Sequence, residues 1–429
     1  MYVLYSTILG LGLLLFSPWL LLKDARDGRY TRFLRERFGR VPRLPQAGAI
    51  WVHAVSVGEA LAVERLIAAL RTAHPGRLVV LSVTTAAARG VAEQRIAADR
   101  IFYFPLDLPW FVRRTLNAIQ PALILIVETE IWPNFLRAAA AYPARVVFIN
   151  GRISGRSFTR YRLIRSLLRR ALQPVDCFLM QSEVDAARIR DLGAEPRHVH
   201  MAGNLKFDLL PPQQPALDAL LQQRLTEAGI SHVLVAGSTM EGEEEEVVEA
   251  FRQVRAHFPT ALLLLAPRHP QRFDAVGAWL DQTGMPYVRR TRLVALPLPP
   301  GGVLLLDSVG ELAALYKHAS VAFVGGSLVP HGGHNVLEPA FFGVPILFGP
   351  YMHNFAAIAE QFLGAHAAFR ADSALELGHL WERLLRDPEL RQSSGQAARQ
   401  LLDSKRGATA RAMEVIQEML TPAPSQDAD

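Results

Sequence analysis

Short, nearly continuous runs of Val, Ile and Leu punctuate the chain, separated by stretches with helical periodicity. The first series is "AIWVHAV" from Ala49, "LVVLSV" from Leu78, "ALILIVE" from Ala122, "RVVFIN" from Arg145 and "DCFLMQ" from Asp176. A second series follows: "HVLVAGS" from His232, "ALLLLAP" from Ala261, "GVLLLDS" from Gly302, "VAFVGGS" from Val321 and "VPILFGP" from Val344. Strands that are apolar on both faces belong to parallel sheets covered by helices on each side. Two such series predict two doubly wound α/β domains. The polar, proline-rich "DLLPPQQPALD", Asp208–Asp218, marks the break between them. The expected organisation is a membrane anchor over 1–22, a basic juxtamembrane segment over 23–47 and an N-terminal domain over 48–207. A linker over 208–230 leads to a C-terminal domain over 231–420, whose last helix returns to the N-terminal domain, and to a tail over 421–429 that lacks apolar periodicity.

The N-terminal "MYVLYSTILGLGLLLFSPWLLL" has no charged side chain over 22 residues. That length matches the ~30 Å hydrocarbon thickness of a bilayer. No basic residues precede the run and no small-residue cleavage site follows it, which argues against a signal peptide. Lys23, Arg26, Arg29, Arg32, Arg35, Arg37, Arg40 and Arg43 come after it, against only Asp24, Asp27 and Glu36. The positive-inside rule then keeps the bulk of the chain on the cytoplasmic side, beside an anionic membrane surface. A net charge of +6 fits an anionic partner. Cys177 is the only cysteine, so no internal disulfide or cysteine metal cluster can form.

In open α/β sheets, ligands bind beyond the carboxyl ends of the strands, so the segments after each apolar run carry the candidate chemistry. "SVGE" occurs twice, as Ser56–Glu59 and Ser308–Glu311. Ser-x-x-Glu is the form of a helix capping box. A carboxylate in a helix's first turn is also a candidate base. "VETEIWPN" places Glu128 and Glu130 two apart, on one face if the strand continues through them, as a site or as salt-bridge partners. "GRISGRSFTRYRLIRSLLRR" carries seven arginines and no acid. It reads as a solvated helix face or as a receptor for lipid phosphates. Lys206 in "GNLKFD" lies just before the expected linker. In the second series, "GSTMEGEEEE", "APRHPQRF" with Arg268 and His269, and "VGGSLVPHGGHNVLEP" with His334, Asn335 and Glu338 follow successive strands. Glycines let backbone approach a ligand, and helix N-termini offer amides to phosphate. The acids after Gly242 read as partners of a helix dipole.

Several classes are disfavoured. There is no Walker A sequence and no Gly-x-Gly-x-x-Gly after the first strand. Zinc-ligand spacing is absent, and Asp-x-Asp occurs only in the terminal "DAD". No recognised nucleic-acid motif supports a nucleic-acid partner.

Taken in order, "WVHAVSVGE", "FPLDLP", "ETEIWPN", "NGRIS", "GNLKFD", "GSTMEGEEE", "PRHPQRF", "DSVGEL", "GGSLVPHGGHNVLEP" and "FGPYMHNF" cover nearly the whole chain. This set resembles the 3-deoxy-D-manno-octulosonic acid (Kdo) transferases of lipid A assembly. The resemblance implies a GT-B fold, two Rossmann-like domains facing a cleft. It implies CMP-Kdo as donor, a tetra-acylated disaccharide bisphosphate precursor of lipid A as acceptor, and inversion at the anomeric centre without a metal or other cofactor. It further implies a place on the cytoplasmic face of the bacterial inner membrane. Carried onto this chain, Glu59 is the general base, and Glu130 and Lys206 stabilise the transition state. Arg268, His269, the loop Val309, Gly310, Glu311, and the segment Asn335, Val336, Leu337, Glu338 match CMP-binding positions. Met240 stands where histidine is frequent in the family. Arg89, with alanines before it, stands in a stretch where threonines and proline often precede the glycine. The competing expectations are a GT-B transferase using a UDP-sugar, a nucleotide-sugar epimerase on the same fold, and a non-enzymatic membrane scaffold.

Overall fold

The structure, a computed structural model, describes residues 2–27, 30–210 and 213–421, with the side chains of 16–32 outside that description. The chain divides into two compact units, Met1–Leu209 with Arg406–Asp429, and Leu210–Lys405. Each is built on a seven-stranded parallel sheet.

In the first unit the strands are β1 (Ala49–Ala54), β2 (Val79–Val83), β3 (Arg100–Tyr103), β4 (Pro121–Val127), β5 (Arg145–Gly151), β6 (Cys177–Met180) and β7 (Val199–Met201). They are ordered β3-β2-β1-β4-β5-β6-β7. Both faces are covered, so β1, β2 and β6 are buried along their whole length. Alternation divides them between two cores: Trp51 faces one, with Phe102, Phe104, Phe135 and Phe148, while Ile50 and Val52 face the other. The second unit contains β8 (Val233–Thr239), β9 (Leu262–Pro267), β10 (Tyr287–Arg289), β11 (Val303–Leu305), β12 (Val321–Val324), β13 (Ile346–Phe348) and β14 (Ala368–Arg370). Their order is β10-β11-β9-β8-β12-β13-β14. The order reverses direction between β1 and β4 in one sheet and between β8 and β12 in the other, which marks the two switch points where such sheets bind ligands.

The linker is more structured than expected. Most of the expected linker is the helix Pro215–Glu227, whose Leu217, Leu221 and Leu225 recur at helical spacing and bury in the second unit. Pro211 and Pro212 lie outside the described residues. The helix Ala408–Leu420 belongs to the first unit, where Ala408, Ala412 and Ile416 enter the core. The Asp208 carboxylate accepts the Gly407 and Thr409 amides at 2.7 and 2.6 Å and so caps that helix. The expected tail, apart from Thr421, lies outside the described residues.

The N-terminal apolar run forms the helix Tyr2–Asp27. Among the described residues, no helix is long and apolar enough to cross a membrane. The expected anchor coincides with the first part of that N-terminal helix. Its later half, and Lys23, Arg26, Arg29 and Arg32 of the basic segment, fall on side chains outside the description. One side of the helix docks on the first unit: the Tyr5 hydroxyl donates to Asp107 at 3.0 Å, and Asn134 Nδ2 donates to Ser6 Oγ at 3.0 Å. The other side exposes Leu4, Ile8, Leu11 and Leu15 at helical spacing, flanked by Val3 and Leu14. Arg37 was expected in the basic collar but turns inward, donating to the Thr84 carbonyl at 2.7 Å. Arg89 is a buried structural residue: Nη1 meets Glu36 at 2.5 Å, Nε meets Glu93 at 2.8 Å, and its guanidinium covers the Tyr103 ring.

Candidate active site

Glu59 lies just past β1, at the first switch point. Ser56 caps the short helix Val57–Ala62, its hydroxyl accepting the Glu59 amide at 3.3 Å. The Glu59 side chain turns back, so Oε2 accepts the Val55 amide at 2.8 Å and Oε1 accepts the Ser56 hydroxyl at 2.7 Å. This is a capping box displaced by one residue on its return bond. The residue retains only 7% of its surface. Burial raises its pKa, the Val55 and Ser56 bonds lower it, and the charge of Glu128 raises it further. These bonds, with the Ser56 amide, fix the orientation of the carboxylate.

Glu128 and Glu130 follow β4, the neighbour of β1 across the switch point. The strand ends at Val127, so the expectation that they share one strand face does not hold. The chain instead turns at Glu128, which has a φ of +57°, rare for a residue with a side chain. The turn still brings the carboxylates together. Burial, then Glu59, then Glu128 push Glu130 up to about 7. Lys206 Nζ stands 4.0 Å from Glu128 Oε1. Lys206 sits in the single turn Leu205–Asp208, which Asn204 caps by accepting the Lys206 amide at 3.0 Å. Burial, and then the Glu130 charge, raise the phenol pKa of Tyr161 in the arginine-rich helix Gly155–Leu163. Thus the structure brings Glu59, Glu130 and Lys206 into one cluster and adds Glu128 to it. Glu128 was visible in "VETE"; its backbone turn was not.

In the second unit the switch point joins "GSTMEG" to "VGGSL". Ser238 has a φ of +60° at the end of β8. A Cβ on Gly325 would stand 2.6 Å from the Ser238 carbonyl oxygen, so only glycine fits there. Glu243 is fully buried and accepts four amides, from Met240 (2.9 Å), Gly326 (2.6 Å), Ser327 (2.8 Å) and Leu328 (2.8 Å). Its neighbour Glu244 accepts Thr239 Oγ1 at 3.0 Å and Arg272 at 2.5 Å. These two acids build the loop rather than only serving a helix dipole, and they engage the Gly326 amide. The run of acids from Glu243 to Glu246 concealed this role.

The cationic side of this unit is made by side chains. Arg268 and His269 are exposed just past β9. Together with His331 they surround His334, whose pKa is lowered to about 4, chiefly by burial and then by those neighbours. The helix expected to begin near His334 or Asn335 is only Leu337–Phe341, with Val336 at its cap. Pro339, within it, has no amide to donate. Asn335 Oδ1 accepts the Leu337 amide at 3.1 Å, while its Nδ2 donates to Glu338 at 3.2 Å. That segment therefore offers side chains more than free helix amides.

The second "SVGE" is not a capping box. The Ser308 hydroxyl donates to Glu311, but Glu311 itself occupies the cap of Leu312–Leu315 without a side-chain cap bond. Glu311 pairs with Arg290 at 2.8 Å, Gly310 has a φ of +86°, and Val309 is 75% exposed. Among the described residues, no group of three His, Cys, Asp or Glu side chains is arranged to hold a metal ion.

The chain is similar to known proteins over most of its length. The family described as 3-deoxy-D-manno-octulosonic-acid transferase (kdotransferase) matches residues 32–209. A 3-deoxy-D-manno-octulosonic acid transferase of Haemophilus influenzae is 33% identical over 420 residues, covering 95% of this chain and 97% of its own. One from Bordetella pertussis is 36% identical over 407 residues, covering 92% and 93%. A glycosyltransferase structure from Rickettsia africae matches 88% of this chain and 100% of its own with a TM-score of 0.55 at 12% identity, a likeness of fold alone. With two Rossmann-like units of the GT-B type and relatives aligned over almost their full length, the chain belongs to the Kdo transferase family and is a glycosyltransferase.

Proposed function

We propose that the protein transfers Kdo with inversion from CMP-Kdo to a tetra-acylated disaccharide bisphosphate precursor of lipid A, in lipopolysaccharide synthesis, with Glu59 as general base. The observation that carries this reading is the Glu59 carboxylate: buried, raised in pKa, held in one orientation by Val55 and Ser56, and set beside Glu130.

An acceptor hydroxyl oxygen attacks the anomeric carbon of Kdo. The bond from that carbon to the phosphate oxygen breaks, and CMP leaves with the electron pair. The hydroxyl proton passes to Glu59. Attack opposite the leaving group inverts the centre. A fixed carboxylate acts here without reorganising. Lys206 offsets negative charge that develops during displacement. Arg268, His269 and the segment Asn335–Glu338 recognise CMP, with neutral His334 as a hydrogen-bonding neighbour. Glu130, near half protonation at neutral pH, orients the acceptor or Glu59.

The same reading places the enzyme on the cytoplasmic face of the bacterial inner membrane, lying on the surface through its N-terminal helix. The stripe of Leu4, Ile8, Leu11 and Leu15 supports this, as do Leu163 (85% exposed) and Ile164 set among Arg160, Arg162 and Arg165. Apolar faces bordered by arginine suit an interface with anionic lipid.

The test is mass spectrometry of the lipid formed when purified protein meets CMP-Kdo and the acylated disaccharide. A product heavier by one or more Kdo residues is expected. No product, alongside turnover of a UDP-sugar, refutes the reading.

A further inference from the structure

A cavity of about 330 Å³ lies between the N-terminal helix and the loop that follows β3. Ile8, Leu9 and Leu13 form one wall, and Pro105, Leu106 and Leu108 form the other. At one end stand Arg37, Asp107 and Trp132. Its size falls at the lower end of the ~300–1,000 Å³ range of small-molecule sites, and such sites pair apolar walls with a few placed polar groups.

The polar end is incompletely paired. Among the described residues, Trp132 Nε1 and Arg37 Nε are buried and have no hydrogen-bond partner. Two more such atoms lie close by, His53 Nε2 and Thr84 Oγ1. Arg37 donates to the Thr84 carbonyl, His53 stacks on Phe104 with centroids 3.8 Å apart, and Phe104 in turn meets Trp132 at 5.8 Å. An unmade bond at a buried polar atom costs about 1–3 kcal/mol, so a cluster of them calls for an explanation. Asp107 is already engaged: its carboxylate accepts Tyr5 Oη, the Asn134 amide and the Phe135 amide. Arg37 and Trp132 are thus the hydrogen-bond donors among the lining residues, which fits a carbonyl, ester or phosphate oxygen.

We propose that this cavity holds one acyl chain of the acceptor lipid, its methylenes between the N-terminal helix and the loop, its oxygen end at Trp132 and Arg37. The inference rests on the acceptor assigned above and deepens it. Trp132 is two residues from Glu130, so the polar end of the chain enters beside the carboxylates. That continuity favours the acceptor over a bilayer phospholipid as the occupant.

Gly12 lines the cavity, and a Cβ added there meets no atom within 4 Å. Gly12→Phe fills the space while favouring the helix. Gly10 is equally open but does not line the cavity, so Gly10→Phe is the matched control. Steady-state kinetics are measured with the tetra-acylated acceptor and with its fully deacylated disaccharide bisphosphate. Gly12→Phe should raise KM for the acylated acceptor about tenfold, equivalent to displacing about two buried methylenes. It should leave kcat/KM for the deacylated acceptor within about twofold, and Gly10→Phe should change neither. An unchanged KM for the acylated acceptor overturns the proposal, as does an equal loss with both acceptors. Weaker retention on phosphatidylglycerol vesicles with unaltered acylated KM also overturns it, since the cavity would then hold a bilayer lipid. Calorimetric binding of the acylated acceptor without donor separates the two readings. Wild-type binding that Gly12→Phe weakens, with no transfer by either protein, refutes the proposed reaction and leaves the pocket standing. Binding that Gly12→Phe leaves unchanged refutes the pocket.

Discussion

Replacing Glu130 by Gln should stabilise the protein, and the gain should depend on pH. Burial and two neighbouring carboxylates lift Glu130 from an ordinary value of 4.5 to about 7. A carboxyl whose pKa is higher in the folded state binds its proton more tightly there than in the unfolded chain. Folding therefore takes up a proton between pH 4.5 and 7, and stability falls as pH rises through that window. Above it the group is ionised in both states, and the folded state bears the full cost of the buried charge. A rise from 4.5 to about 7 corresponds to roughly 3 kcal/mol at most, and coupling to Glu59 with residual solvent screening reduces it to about 1–3 kcal/mol. Gln removes the charge and keeps the shape. For a unit of this size that gain amounts to roughly 2–10 °C in melting temperature. Calorimetric scans of wild type and Glu130→Gln at pH 5 and pH 8 provide the assay. The two melting temperatures should nearly coincide at pH 5 and separate at pH 8, with the variant higher. Equal temperatures at pH 8, or a variant that melts lower there, would refute the assignment of a strained carboxylate cluster.

Arg89→Met should destabilise by about 3–5 kcal/mol, because it leaves Glu36 buried without its guanidinium; adding Glu36→Met should recover much of the loss in a urea titration. Glu243→Ala should cost a similar ~3–5 kcal/mol and abolish CMP binding by calorimetry, since four amides of the switch-point loop lose their shared acceptor. Glu311→Gln should raise KM for CMP-Kdo about threefold to tenfold with little change in kcat, from the ~1 kcal/mol of its pair with Arg290.

The central strands of both sheets were legible because they are buried on both faces and read as continuous apolar runs. Four strands did not appear: Arg100–Tyr103, Val199–Met201, Tyr287–Arg289 and Ala368–Arg370. All four are outer strands of their sheets, three or four residues long. With one edge unpaired they tolerate Arg100, His200, Arg289 and Arg370, which break the apolar pattern. The helix Pro215–Glu227 was hidden within the expected linker because prolines crowd its start, yet proline starts a helix as readily as it interrupts one. In the candidate site, Glu59 and Glu130 were legible as candidates from motif order. The turn at Glu128 did not, because a left-handed residue with a side chain leaves no composition signal. The role of Glu243 was hidden for a different reason: its four partners lie more than eighty residues away or in the preceding turn.

The measurement that bears most directly on the account is Kdo transfer by Glu59→Gln. Gln can still accept the Val55 amide and bond the Ser56 hydroxyl, so the helix start survives while the proton acceptor is lost. A melting temperature no lower than that of wild type, unchanged CMP affinity and a kcat lowered by about 10²–10⁴, the usual worth of a positioned base, are expected. A variant that folds, binds CMP and transfers Kdo within a few-fold of wild type would show that Glu59 only caps its helix.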